Sequence, residues 1–276
     1  MGDYLRPRGL EEALQALTRP FTVLAGGTDF YPARVGRAVT EDVLDITGIA
    51  ALRGISETSA GWRLGAITSW SELVEADLPR MFDGLKQAAR EVGGRQIQNT
   101  GTIAGNVCNA SPAADGVPAL LALDAEVELA SRDGARRLPL ASFITGVRTT
   151  ARQPSELVVA LHVPRSRTGA RSAFLKLGAR RYLVISIAMA SVVVEVEGGK
   201  VAAARIAVGA CSPVARRLPD LERVLIGAPF DARLGDRIEP AHLAPLSPID
   251  DVRGSADYRS DAALVLLRRL LSRVAA

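Results

Sequence analysis

Residues 101–115 constrain this chain more than any other stretch. They read Gly-Thr-Ile-Ala-Gly-Asn-Val-Cys-Asn-Ala-Ser-Pro-Ala-Ala-Asp, small and polar, with no charge before Asp115. An apolar run, residues 117–123, follows directly. Glycines let a backbone take positive φ and approach a ligand closely. Thr102, Asn106, Asn109 and Ser111 add short hydrogen-bonding groups. Such a loop can cradle phosphate with backbone N–H groups and needs no lysine. A second candidate lies upstream at residues 24–29, Leu-Ala-Gly-Gly-Thr-Asp, just after a short apolar stretch. Two phosphate-type loops far apart in one chain point to a ligand with two linked phosphates, held from both sides.

The chain has 276 residues, which suits two or three subdomains better than one core. Apolar residues make up 48% and charged residues 23%, a globular rather than a disordered balance. The net charge of +4 comes from arginine, since lysines are few. Aromatics are only 4%, and no basic cluster is interleaved with them, which argues against nucleic-acid binding. A basic face can equally serve cofactor phosphates or an acidic partner subunit. The two cysteines, Cys108 and Cys211, cannot by themselves ligate zinc or an iron–sulfur cluster. Nothing points to export, so no disulfide is expected. The N-terminus has no apolar signal core, and no apolar stretch is long enough to span a bilayer. A cytoplasmic protein without a membrane span is expected.

Along the chain, Leu10, Ala13, Leu14 and Leu17 recur at helical spacing, and Pro20 ends that helix. Short strands are predicted at 21–24 and 43–46, with a boundary near 48–53. Strand candidates follow at 53–57 and 61–65. Ser69 and Glu72 fit a capping box for a helix through Val74. Met81, Leu85, Ala88 and Ala89 give one face of a further helix, stopped by Gly93 and Gly94. After the main loop comes a helix ending near Leu123, capped either by Ser111 with Pro112 or by Asp115 with Pro118. Strands are expected at 127–130, 136–138 and 157–163, and a polar linker at 165–171. Segments 191–197 and 201–208 flank Gly198-Gly199, a two-residue hairpin signal. A helix near 214–226 and a long amphipathic C-terminal helix complete the chain.

With both loops and the tail in view, the sequence resembles the FAD-binding medium subunits of the xanthine dehydrogenase family of molybdenum hydroxylases. Those subunits carry an Ala-Gly-Gly-type loop, then Thr-Ile-Gly-Gly-Asn running into Ser-Pro-x-x-Asp. Here the second reads Thr102-Ile103-Ala104-Gly105-Asn106, so Ala104 replaces the first glycine of the pair. The similarity extends through 176–181 (Lys-Leu-Gly-Ala-Arg-Arg), 209–213 (Gly-Ala-Cys-Ser-Pro) and 251–259 (Asp-Val-Arg-Gly-Ser-Ala-Asp-Tyr-Arg). It implies an α+β chain: a two-subdomain FAD-binding fold of the PCMH type (1–52 and 53–165), then a C-terminal α+β domain with an antiparallel sheet (170–276). It implies FAD contacts from Ala25, Gly26, Gly27, Thr28 and Asp29, and from Thr102, Ile103, Gly105, Asn106, Ser111 and Asp115. Leu183 and Ile185 are implied to lie against the flavin ring. The resemblance further implies a large molybdopterin-binding subunit and a small 2Fe-2S subunit as partners, assembled as a dimer of heterotrimers. Electrons would pass from the clusters to FAD and on to NAD, quinone or oxygen.

Plainer readings stand beside these. Gly26-Gly27 alone is an ordinary strand-to-helix turn, and Asp115 can simply cap a helix. Cys108 reads as a small buried residue, and His162 as strand packing. No Gly-x-Gly-x-x-Gly or Walker pattern occurs at either loop, so a Rossmann site and nucleotide hydrolysis are disfavoured. No triad, carboxylate pair or metal set is visible, as expected where a flavin carries the chemistry. The alternatives are a standalone flavin- or nucleotide-binding protein without turnover, and a standalone flavin oxidase.

Overall fold

The computed structural model describes residues 2–166 and 169–276. The expected linker at 165–171 includes Arg167 and Thr168, which lie outside the described residues. The strands are β1 Tyr4–Leu5, β2 Thr22–Leu24, β3 Val43–Asp45, β4 Ile55–Thr58, β5 Gly61–Gly65, β6 Glu126–Ser131 and β7 Gly134–Pro139. They continue with β8 Ile144–Gly146, β9 Thr149–Thr150, β10 Leu157–Pro164, β11 Arg171–Leu177, β12 Ala188–Glu197, β13 Lys200–Gly209 and β14 Arg216–Arg217. The α-helices are α1 Leu10–Ala16, α2 Trp70–Glu75, α3 Asp83–Glu91, α4 Arg95–Thr100, α5 Ile103–Asn109, α6 Gly116–Ala122, α7 Leu140–Phe143, α8 Pro219–Leu225 and α9 Ala256–Ala275.

Three sheets organise these elements. A small parallel sheet runs β1-β3-β2, an antiparallel one β4-β5-β10-β6-β7, and a second antiparallel one β11-β12-β13-β14. The middle sheet is covered on both faces, and β10 shows how. Leu157 and Val159 pack with the N-terminal core of Ala13, Leu44 and Ile49. Val158 faces the opposite core instead. A register shift between Val158 and Ala160 then brings Leu161 and Val163 onto that same core. A strand buried on both sides reads as an unbroken apolar run, as 157–161 does.

The C-terminal sheet is buried on both sides as well. Met189 and Val193 of β12 face the helices α3 and α6 and share one core with Trp70, Phe82, Leu85 and Leu120, all fully buried. Val192 and Val194 face Leu266, Leu267, Leu270 and Leu271 of α9. Each large apolar side chain removed from water in this way stabilises the fold by about 1.5–3 kcal/mol. Helices α3 and α6 are therefore held between two sheets, and that fixes the N-terminus of α6 beside the end of β11.

Local signals explain most boundaries. The capping box forms: Glu72 N–H donates to Ser69 Oγ at 3.2 Å, and Ser69 N–H to Glu72 Oε2 at 2.7 Å. Gly198 and Gly199, at φ +57° and +73°, make the hairpin turn between β12 and β13. The structure also departs from the reading in places. The helix expected near 214–226 begins only at Pro219, because Arg216 and Arg217 pair with β13 as β14. His162 packs within β10, but its Nε2 also lies 2.5 Å from Glu128 Oε2, giving the ring a polar partner. No helix among the described residues is long and apolar enough to cross a membrane.

Candidate functional site

The long polar stretch at 101–115 is not all loop, because residues 103–109 form a short helix. Thr102 is extended (φ −107°, ψ 151°), and its hydroxyl accepts from Gly105 N–H at 3.0 Å, starting α5. Ile103, Ala104 and Val107 are the buried side of this short helix. It ends at Ala110 in the left-handed region, φ +46°. Gly105 has a local reason: a Cβ there would sit 2.6 Å from Thr102 Oγ1, against the cap itself. Cys108 lies on the outer side of α5 and is exposed, which corrects the expectation of a buried residue. It is one residue past Val107, a rotation of about 100° around the helix.

The two glycine stretches touch. A Cβ on Gly26 would lie 2.0 Å from the Thr100 carbonyl oxygen and 2.9 Å from Gly101 Cα. Gly101 in turn faces Thr28 Oγ1 and the Trp70 ring. Gly27, at φ +70°, turns the chain beneath the Tyr31 ring. Among the described residues, the backbone N–H groups of Gly26, Gly27, Thr28 and Asp29 have no hydrogen-bond partner. A run of unpaired amides after a strand is the donor set an anionic group requires.

Some of the other predicted residues are linked to this contact. The Asp29 carboxylate accepts from Arg148 Nη1 at 2.8 Å, and the same guanidinium also reaches Asn109 Oδ1. Arg148 therefore ties the first stretch to the end of α5. Asn106 Oδ1 is buried without a hydrogen-bond partner. It faces Gly116, where a Cβ would meet Asn106 Oδ1 at 3.0 Å and the Trp70 ring at 2.4 Å. Ser111 Oγ accepts from Ala113 N–H at 3.3 Å and shapes the turn into α6. Ala25 follows β2 and packs at the edge of the N-terminal core, while Ile103 is fully buried and anchors α5 from within.

Asp115 stands just before α6 but makes no side-chain cap. Its Oδ2 lies 2.8 Å from Lys176 Nζ, and its Oδ1 accepts from the Ser186 hydroxyl at 2.6 Å. Burial raises its pKa above the usual aspartate value, against the pull of the Lys176 ammonium and the Ser186 hydroxyl. Leu183 (φ +52°) and Ile185 lie in the irregular segment between β11 and β12, 47% and 53% exposed. An unpaired amide run, a buried orphan oxygen and an exposed apolar ledge fit the diphosphate, hydroxyl-bearing and ring portions of a flavin dinucleotide.

The pattern that defines the FAD-binding domain in molybdopterin dehydrogenase matches residues 1–166. The chain belongs to that family. The pattern of the CO dehydrogenase flavoprotein C-terminal domain matches residues 173–274. The carbon monoxide dehydrogenase medium chain of Afipia carboxidovorans is 32% identical over 280 residues, covering 99% of this chain and 96% of that one. The xanthine dehydrogenase FAD-binding subunit of Escherichia coli O157:H7 is 28% identical, covering 99% and 96%. In the solved structure of reconstituted CO dehydrogenase from Oligotropha carboxidovorans, one chain superimposes with a TM-score of 0.91 at 30% identity, covering 100% of this chain and 98% of that one. The chain is thus an FAD-binding oxidoreductase subunit of the molybdenum hydroxylase type.

In this FAD-binding subunit, sequence reasoning missed Trp70, Arg148 and Ser186, and quoted Lys176 without giving it a role. Trp70 carried no local sign beyond being the first residue after a capping serine. Arg148 and Ser186 meet their partners only through long-range contacts. Lys176 did carry a signal. It is one of three lysines among 34 basic residues, and it sits inside a strand.

Proposed function

We propose that this chain binds FAD between the 25–29 and 102–115 segments and serves as the electron-transfer subunit of a molybdenum hydroxylase complex. The observation that carries the cofactor site is the run of unpaired amides at Gly26–Asp29 lying directly against Gly101. Gly26, Gly27, Thr28 and Asp29 would hold the pyrophosphate through backbone N–H groups. Thr102 keeps its hydroxyl hydrogen free to donate while its oxygen caps α5. Asn106 would accept from a ligand hydroxyl, and Leu183 and Ile185 would cover the ring. FAD, when bound, supplies a carrier that accepts and releases electrons. The chain's own part is to orient that carrier and limit access to it. Its partners on this reading are a small subunit bearing 2Fe-2S clusters and a large molybdopterin-binding subunit, in a cytoplasmic dimer of heterotrimers. Electrons enter from the small subunit and leave to NAD, quinone or oxygen. The units 1–52, 53–165 and 170–276 each contain one of the three main sheets, which supports that division.

Two experiments test this. Heat release of bound flavin followed by chromatography should give FAD; recovery of FMN would exclude a diphosphate site. The purified chain should turn over no aldehyde or heterocycle alone. Added to its two partner subunits, it should restore flavin-dependent reduction of an acceptor. Turnover by the isolated chain would replace this reading with a standalone oxidase.

A further inference from the structure

Residues 178–187 form neither helix nor strand, yet the segment is gripped at three successive points. Arg180 Nε donates to the Leu183 carbonyl at 3.1 Å. Lys176 Nζ donates to the Val184 carbonyl at 3.2 Å. The Ser186 hydroxyl donates to Asp115 Oδ1 at 2.6 Å. The side chains alternate. Val184 turns inward, its Cγ1 2.4 Å from where a Cβ on Gly178 would lie, and Ser186 is 2% exposed. Leu183 and Ile185 turn outward.

Lys176 is almost entirely enclosed, its side chain 5% exposed. Its three protons match three acceptors: Asp115 Oδ2, the Val184 carbonyl and, at 3.3 Å, the Glu91 carbonyl. A compact ammonium suits three converging acceptors; the planar fork of an arginine does not. This accounts for a lysine here in a chain that mostly uses arginine. Both Asp115 oxygens are engaged inside the protein, one by Lys176 and one by Ser186.

We infer that Asp115, Lys176 and Ser186 are positioning residues that pin Val184 and Ser186, so that Leu183 and Ile185 stand as a rigid apolar ledge for the flavin ring. On this inference Asp115 acts behind the ledge and does not contact FAD. Without the anchor, an irregular segment would lose conformational freedom each time a ring docked on it. The inference rests on the FAD reading above, and the test separates the two.

The full-length apoprotein is titrated with FAD and, separately, with ADP, which carries the diphosphate but no flavin. The variants are Ser186→Ala, Asp115→Asn and Lys176→Arg. Ser186→Ala removes one hydroxyl and is the variant that should fold without difficulty. Each variant is expected to weaken FAD about tenfold, the scale of one lost hydrogen bond, and to leave ADP unchanged. The double variant Ser186→Ala/Asp115→Asn should weaken FAD less than the product of the single effects, because both act through one contact. Bound flavin should also lose the fine structure of its visible band as the ledge loosens. If Asp115→Asn weakens ADP as much as FAD, Asp115 is a direct ligand and the inference falls. It falls equally if folded Ser186→Ala keeps wild-type FAD affinity and band shape. A wild-type chain that binds neither FAD nor ADP would overturn the cofactor reading itself.

Discussion

Gly26→Ala is the sharpest test of how the two glycine stretches work together. The added Cβ would sit 2.0 Å from the Thr100 carbonyl oxygen, 2.8 Å from Thr100 C and 2.9 Å from Gly101 Cα. All three are backbone atoms, so no side chain can swing away. Relief requires one stretch to move by roughly 1 Å from the other, given that carbon–carbon contacts are normal at about 3.5–4.0 Å. Overpacking of this kind costs about 1–3 kcal/mol. In a chain of this size that is roughly 2–10 °C in Tm. Gly27→Ala is the comparison. Its Cβ would meet the exposed Tyr31 ring at 2.7 Å, which can rotate, but the φ of +70° would be strained, at about 1–2 kcal/mol. Thermal melts with and without added FAD separate fold from site, since ligand stabilisation rises with occupancy. Gly26→Ala should lower the apo Tm and also shrink the FAD-induced rise. Gly27→Ala should lower the apo Tm with a smaller effect on that rise. A Gly26→Ala protein with wild-type Tm and full flavin content would refute the argument that direct backbone contact builds the site.

Thr102→Val removes the cap of α5 and should cost about 1 kcal/mol in denaturant unfolding, while Thr102→Ser should restore most of it. Glu156 is held below the usual glutamate pKa chiefly by Arg136, whose Nε lies 2.5 Å from its Oε1. A depressed folded-state pKa contributes stability above the unfolded value of 4.5 that is lost as pH falls through the lower folded one. Glu156→Gln should therefore flatten the fall in Tm below about pH 4.5, and an unchanged acid slope would refute this. Arg259 is 3% exposed and donates to the Ile187 and Ala210 carbonyls at 2.6 and 3.0 Å and to Asp251 Oδ1 at 2.6 Å. Arg259→Met leaves the Ile187 and Ala210 carbonyls without a donor and takes the Arg259 charge from beside Asp251, which keeps the Arg253 N–H, so Tm should fall by roughly 10 °C.

What the sequence showed and what it hid follow from the range of the interactions. The Ser69–Glu72 capping box and the Gly198-Gly199 turn are decided within four residues, and both formed as read. Within 101–115, the helical part 103–109 reads as loop because its glycine and short polar residues are poor helix formers. What makes it helical is one local bond, the Thr102 cap, together with burial of Ile103, Ala104 and Val107 under Trp70 and Leu120. That burial is tertiary and leaves no period in seven residues. Asp115 was ambiguous for the same reason. Capping and ligand contact are both short-range roles, and its actual partners lie 61 and 71 residues away.

The same separation explains how the site depends on the fold. Gly26 follows the parallel N-terminal sheet, Gly101 belongs to the layer of helices, and Lys176 ends the edge strand of the C-terminal sheet. On the proposed reading, no one of these units would hold a complete ligand surface. On that reading, the amide run would meet a phosphate only while Gly26 rests on Thr100 and Gly101, and Ile185 would be aimed at the ring only while Asp115 grips Ser186. A dinucleotide spanning them would make contact with all three, so its binding energy would add to the cohesion between layers. Flavin loss should then loosen the N-terminal sheet and the 178–187 segment together, although they share no hydrogen bond among the described residues. Hydrogen exchange on apo and FAD-loaded protein measures this directly. Protection gained at 22–29 and 184–187 alike is the expected result, and protection confined to one of them would show that the ligand contacts only that unit.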